Sequence, residues 1–224
     1  MANLIIKSSA DNLVLKGSGQ TGSDVAVTVG ATGNTTLSGT ANNLGTITSA
    51  TTFPAGHIIQ TQFRNFTGQQ VIGNGSSGGD TFTTIGSGVS GQEFSIDMAV
   101  GSGNKIIGFG NINIGSSVRY TGIRLFADST QIAQGDAWGS NRQRMTVSTQ
   151  VDNDAGGLEQ HVMWNTSFSF NYTPSSTSTI TYTVKAASAS EATAISYINR
   201  IEADTDGSHV HTGYSSLILM EIKG

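Results

Sequence analysis

Cysteine is absent from this 224-residue chain, so neither disulfides nor Cys-based metal sites can contribute to its fold. Proline is nearly absent. Pro54 and Pro174 both fall between apolar runs, where they leave strand pairing intact. Charge is scarce at 12%, and 11 Lys+Arg against 15 Asp+Glu gives a net charge of −4. That balance offers no basic field to neutralise phosphates, which excludes a nucleic-acid binder. It is also too small for charge-driven disorder. The periodic Ala/Glu/Lys/Leu pattern of long helices and coiled coils is missing. The longest unbroken apolar run, Leu217 to Met220, is far short of the ~20 residues a membrane helix needs. Met1 to Lys7 has neither a basic start nor a long apolar run, so no signal peptide is expected. The expected route is synthesis in a cytoplasm, with release by lysis if the protein acts outside the cell.

What fills the chain instead is 29 Gly, 28 Ser, 28 Thr and 15 Asn, 100 of its 224 residues. Residues 1–56 dilute short apolar runs with these residues: Leu4-Ile5-Ile6, Leu13-Val14-Leu15 and Val25 to Val29. Phe53 is the one aromatic, and Arg, His and Trp are missing. Such runs suit strands of 3–5 residues but cannot bury a core of their own. Two readings stand: a partly ordered arm, or a β segment docked on something larger. Residues 57–224 carry nearly all the aromatics, and here period-2 alternation is clear. Phe94 to Val100, Met145 to Val151, Val162 to Phe170 and Ile180 to Val184 alternate. Val118 to Phe126 reads as a long strand with a bulge at Gly122. Leu217 to Ile222 is apolar on both faces except for Glu221 and reads as a buried last strand. Ala186 to Ile198 alone has some helical character, weakened by its Ser, Thr and β-branched content. Eight to ten strands in this region predict an all-β chain with a two-sheet sandwich or jelly-roll-like head.

Two stretches carry a resemblance, Thr52-Phe-Pro-Ala-Gly-His-Ile-Ile-Gln-Thr61 and Ser215-Ser-Leu-Ile-Leu-Met-Glu-Ile-Lys-Gly224. Together they resemble virion structural proteins of tailed bacteriophages, especially marine phages, of the tail-fibre, receptor-binding or capsid-decoration type. The resemblance implies a homotrimer, attachment to tail, baseplate or capsid proteins through residues 1–56, and an exposed β-sandwich head at 57–224. It also implies host cell-surface glycan or protein as the head's target. The alternative is a capsid decoration or cement protein. A free lectin or glycan hydrolase is the reading from another class.

No motif points to catalysis. Gly73-Asn-Gly75-Ser-Ser-Gly78 has the glycine spacing of a dinucleotide loop, and Gly75 to Gly79 has that of a nucleophile elbow. Both need a helix to follow, whereas Asp80 to Ile85 reads as a strand. Asp128, Asp136, Asp152, Asp154, Glu159, Asp204 and Asp206 are available, but nothing pairs them as glycoside hydrolysis requires. The expectation is therefore a non-enzyme without a cofactor. In Asp204-Thr-Asp-Gly-Ser-His209-Val-His211, a strand would turn both imidazoles to one face. Three copies of His209 and His211 at a threefold axis would then offer six nitrogens to a transition metal. The competing reading is a polar loop with exposed histidines. Trp138, Asn141 and Arg142 sit in a turn-rich stretch and are the candidates for receptor contact, by stacking and hydrogen bonding.

Overall fold

The computed structural model describes residues 53–73, 81–88, 91–116, 120–136, 143–150, 161–188, 195–203, 205–208 and 210–224. These lie in one compact unit, Thr52–Gly224. Twelve strands and no α-helix occur among the described residues. No helix there is long and apolar enough to cross a membrane.

The strands form two antiparallel sheets. In the first, β5 (Lys105–Ser116) is central. One of its edges pairs with β9 (Trp164–Tyr172). Its other edge pairs with β12 (Ser215–Ile222) and, end to end with it, β11 (Ser196–Ile198). Beyond these lie β1 (Ile58–Phe66) on β12 and β2 (Gln70–Ile72) on β11. In the second sheet, β10 (Ile180–Ser188) carries β3 (Thr83–Thr84) and β4 (Ser95–Met98) on one edge. Its other edge carries β6 (Tyr120–Ala127), which in turn pairs with β7 (Thr130–Ile132) and β8 (Val147–Gln150). Because the end-to-end strands share one edge, each sheet is four positions wide. Numbered along the chain, those positions run 1-8-3-6 in the first sheet and 2-7-4-5 in the second.

Alternation decides which side chains fill the space between the sheets. Ile106, Ile112, Ile114, Phe168, Phe170, Leu217 and Leu219 point inward from the first sheet. Ile96, Met98, Ile123, Leu125, Tyr182 and Val184 come from the second, and all belong to one buried cluster. Each fully buried aliphatic or aromatic chain contributes about 1.5–3 kcal/mol. A polar rivet crosses this core: the Thr121 and Ser196 hydroxyls lie 2.6 Å apart, both buried.

The longest strand, β5, has glycine at two inward positions, and the reason is close approach. Gly108 pairs directly with Phe170 and Gly110 with Phe168. The two rings lie over the glycines, in the space that a Cβ would occupy. The strands therefore interlock, an aromatic on β9 covering each missing side chain on β5.

Two expectations need correction. Gly122 makes no bulge: it pairs in register with both Ala187 and Ser148, and its missing Cβ leaves room for the Met145 thioether. Both described ends of the stretch Ala186 to Ile198 are strand rather than helix, in β10 and β11. There β-branched and small residues pack on a pleated surface better than on a helix.

One buried group works against the fold. Tyr182 is fully buried, edge-on to Tyr172, and its hydroxyl has no hydrogen-bond partner. Burial, with lesser contributions from Tyr172 and Asp128, pushes this phenol far above its ordinary range. An unmade buried bond costs about 1–3 kcal/mol. Tyr182→Phe keeps the ring and removes the orphan donor. Chemical denaturation should therefore show stability unchanged or raised by about 1 kcal/mol, the low end of that cost.

Candidate binding loops and exposed sheet face

The chain leaves the second sheet between β7 and β8, the stretch that contains Trp138, Asn141 and Arg142. These three residues lie outside the described residues, but the stems that carry them do not. Asp128 and Ala133 take positive φ, 51° and 50°, and turn the chain sharply on either side of β7. The two stems then meet. Arg144 Nε donates to Gly135 O at 2.7 Å, and Gly135 N donates to Met145 O at 3.4 Å. Arg124, on the outer face of β6, clamps the returning stem: its Nε donates to Arg144 O at 2.9 Å and its Nη2 to Gln143 Oε1 at 3.0 Å. Gln131 Nε2 donates to the same Arg144 carbonyl at 2.8 Å. The Arg124 guanidinium lies 3.8 Å from the centre of the Phe82 ring, a cation–π contact that fixes the fork. The described residues on either side, up to Asp136 and from Gln143, are thus bonded to each other and to β6 and β7.

The second candidate stretch, Asp204 to His211, is described only in part. His209 lies outside the described residues. Val210 N donates to Gly207 O at 2.9 Å, which makes a turn, and strand β12 starts only at Ser215. His211 is exposed, one residue before the isolated bridge between Thr212 and Arg200. Among the described residues, no group of three or more His, Asp or Glu side chains converges as metal ligands would.

Among the described residues, one carboxylate is buried. Glu221 is buried at the end of β12. Its Oε1 accepts from Gly101 N at 2.7 Å and from the Asn104 amide, and its Oε2 accepts from Gln60 Nε2 at 2.7 Å. Burial pushes this carboxyl up, but the bonds from Asn104, Gln60 and Gly101, with the Lys223 ammonium, outweigh burial and hold it below its ordinary value. A lowered folded value means stability that is fully present above the unfolded value of 4.5 and drains away as pH falls through the folded one. Glu221→Gln keeps the shape but turns its own NH₂ toward that of Gln60. Denaturation at several pH values should show the variant losing about 1–3 kcal/mol at pH 7. Its acid-side slope below pH 4.5 should be flatter than that of the parent.

The feature the sequence reading missed is on the outer face of the first sheet. Phe63 on β1 pairs with Ile218 on β12, and Ile218 with Phe109 on β5. The three side chains make a row across the strands, 71%, 39% and 46% exposed. The next row holds Thr61, Met220 and Ile107. On the other side, Asn111, Asn113, Asn165 and Ser167 form a ladder of amide and hydroxyl bonds, such as Asn111 Nδ2 to Asn165 Oδ1 at 2.8 Å. Monomeric proteins rarely expose a contiguous apolar face of this kind, and where they do it marks a contact surface. No protein-family model matches the chain, and no curated protein matches its sequence.

Proposed function

We propose that this chain is a virion structural protein of the tailed-phage type. Residues 57–224 are a jelly-roll head in a homotrimer, and residues 1–56 attach it to tail, baseplate or capsid proteins. The observation that carries this reading is the strand order 1-8-3-6 and 2-7-4-5. In that order nearly every connection passes from one sheet to the other, as in a double Greek key. Jelly rolls of this kind recur in viral shells and lectins. Fold by itself does not name a function. The virion assignment rests on the resemblance of residues 52–61 and 215–224, whose ends meet where Ile58, Gln60 and Thr61 of β1 pair with Ile222, Glu221 and Met220 of β12.

The mode of action is binding rather than catalysis. The loop neck held by Arg124 and Arg144 supports presentation of residues 137–142 to a host-surface glycan or protein. Three heads on one stem convert weak single contacts into one multivalent contact. The test is competition at the cell surface. Purified protein should bind host cells and block adsorption of its phage in proportion to dose. A protein that neither binds cells nor slows adsorption overturns the receptor-binding role and leaves capsid decoration as the virion role.

A further inference from the structure

We infer that the outer face of β1, β12 and β5 is where copies of this chain meet, with the row Phe63–Ile218–Phe109 at the centre of the contact. This rests on the homotrimer in the proposed function and names the surface that would build it. Three observations favour a second copy over an unrelated partner.

The first is composition. Contacts between identical subunits are more apolar than transient ones, poor in charge and rich in aromatics and Met at their centre. This face offers Phe63, Phe109, Ile107, Ile218 and Met220. Among the described strand residues that point outward here, Lys105 at the far end is the one charge. A chain of net charge −4 can therefore bring this face against itself without opposing like charges.

The second is the rim. Asn111, Asn113, Asn165 and Ser167 each both donate and accept, so a rim of amides and hydroxyls is complementary to its own copies. A partner chosen by charge would find nothing to pair with. The third is size. Together with the β9 rim, four strand positions ~4.8 Å apart and some nine residues at ~3.4 Å give roughly 500–600 Å² in plan, and more once side chains corrugate it. That is of the order of the ~800 Å² each partner contributes to a standard stable interface.

The row runs across the strands. An axis parallel to the strands therefore sets the rows of three copies at one level. Phe63, on the edge strand β1, is then offered to the β5–β9 half of the next copy, a heterologous contact that closes after three.

The experiment compares sedimentation of the full chain with that of Phe63→Asn, Phe109→Asn and Ile218→Thr, singly and combined. Tyr120→Thr on the outer face of the second sheet is the control, and far-UV circular dichroism checks the fold. The parent side chains are exposed, so the single variants should keep their strands. The parent should sediment at about 70 kDa, three times 23.2 kDa. The triple variant should fall to the monomer mass with its spectrum unchanged, and Tyr120→Thr should stay with the parent. A trimer that survives all three substitutions, or that Tyr120→Thr breaks instead, overturns this face and leaves the homotrimer standing. A monomeric parent overturns both. If the triple variant unfolds, the single Phe63→Asn variant, at the most exposed position, decides by its mass.

Discussion

Gly110→Ala should destabilise the two-sheet domain by about 2–3 kcal/mol, near the upper end of what overpacking a tight core costs. The added methyl would enter the Phe168 ring, the direct cross-strand neighbour of Gly110. Neither partner can yield easily. Gly110 belongs to the central strand of its sheet, held on both edges by β9 and β12. Phe168 is buried and tilted against Phe170 at 6.4 Å, so moving one ring moves the next. Gly108→Ala should behave alike through Phe170. The expected drop in Tm is roughly 5–10 °C for a domain of this size. Two comparisons isolate the cause. Gly135→Ala, where a Cβ would meet nothing within 4 Å, should stay within about 0.5 kcal/mol of the parent. Shrinking the ring, with Phe168→Leu added to Gly110→Ala, should cost less than the sum of the two single changes. Full additivity would show that the glycines are there for another reason.

Asn199→Ala should be at least as damaging, at about 3–5 kcal/mol. Asn199 is fully buried where β11 ends and takes φ of 60°, a conformation Asn tolerates and Ala resists. Its Nδ2 donates to Phe66 O at 2.6 Å and to Gly68 O at 2.9 Å, closing the turn between β1 and β2. Its Oδ1 accepts from Ser215 Oγ at 2.7 Å, where β12 begins. Its backbone N donates to Asn113 O on β5, and its O accepts from Gly213. One side chain therefore ties three segments of the first sheet together. Alanine would leave two carbonyls and a hydroxyl without partners and add backbone strain. Asn199→Gly loses the same bonds but relieves the strain, so it should be milder than Ala by about 1 kcal/mol. If urea denaturation finds both variants near the parent, the hub reading fails.

These two positions also explain which parts of the architecture could be read from residues alone. Strands β9 and β10 stand out because bulky residues alternate with Ser, Thr or Asn, as in Phe168-Ser169-Phe170-Asn171, and β12 stands out as the longest apolar run. Strand β5 escaped notice although it is the longest. Its inward face reads Ile106, Gly108, Gly110, Ile112, Ile114, and in a chain with 29 glycines those two look like turn residues. Their meaning depends on Phe168 and Phe170, about sixty residues away, which no local pattern reveals. Asn199 hides likewise, one of 15 Asn and conspicuous only through its partners. The exposed face was misread for a related reason. Apolar residues on both faces of β12 suggested burial on both sides, whereas Leu217 and Leu219 enter the core and Ile218 faces outward. Of the candidate contact and metal residues, His211 alone is described. Trp138, Asn141, Arg142, His209 and all of residues 1–52 lie outside the described residues.

The central claim is that this protein stands on a virus particle. Gold-labelled antibody raised against the purified chain, applied to intact particles and viewed by electron microscopy, tests it most directly. The account predicts gold on the particle: confined to the tail for a fibre, or spread over the shell for a decoration protein. Particles that stay bare, while the same antibody finds the protein only in the lysate, would contradict it.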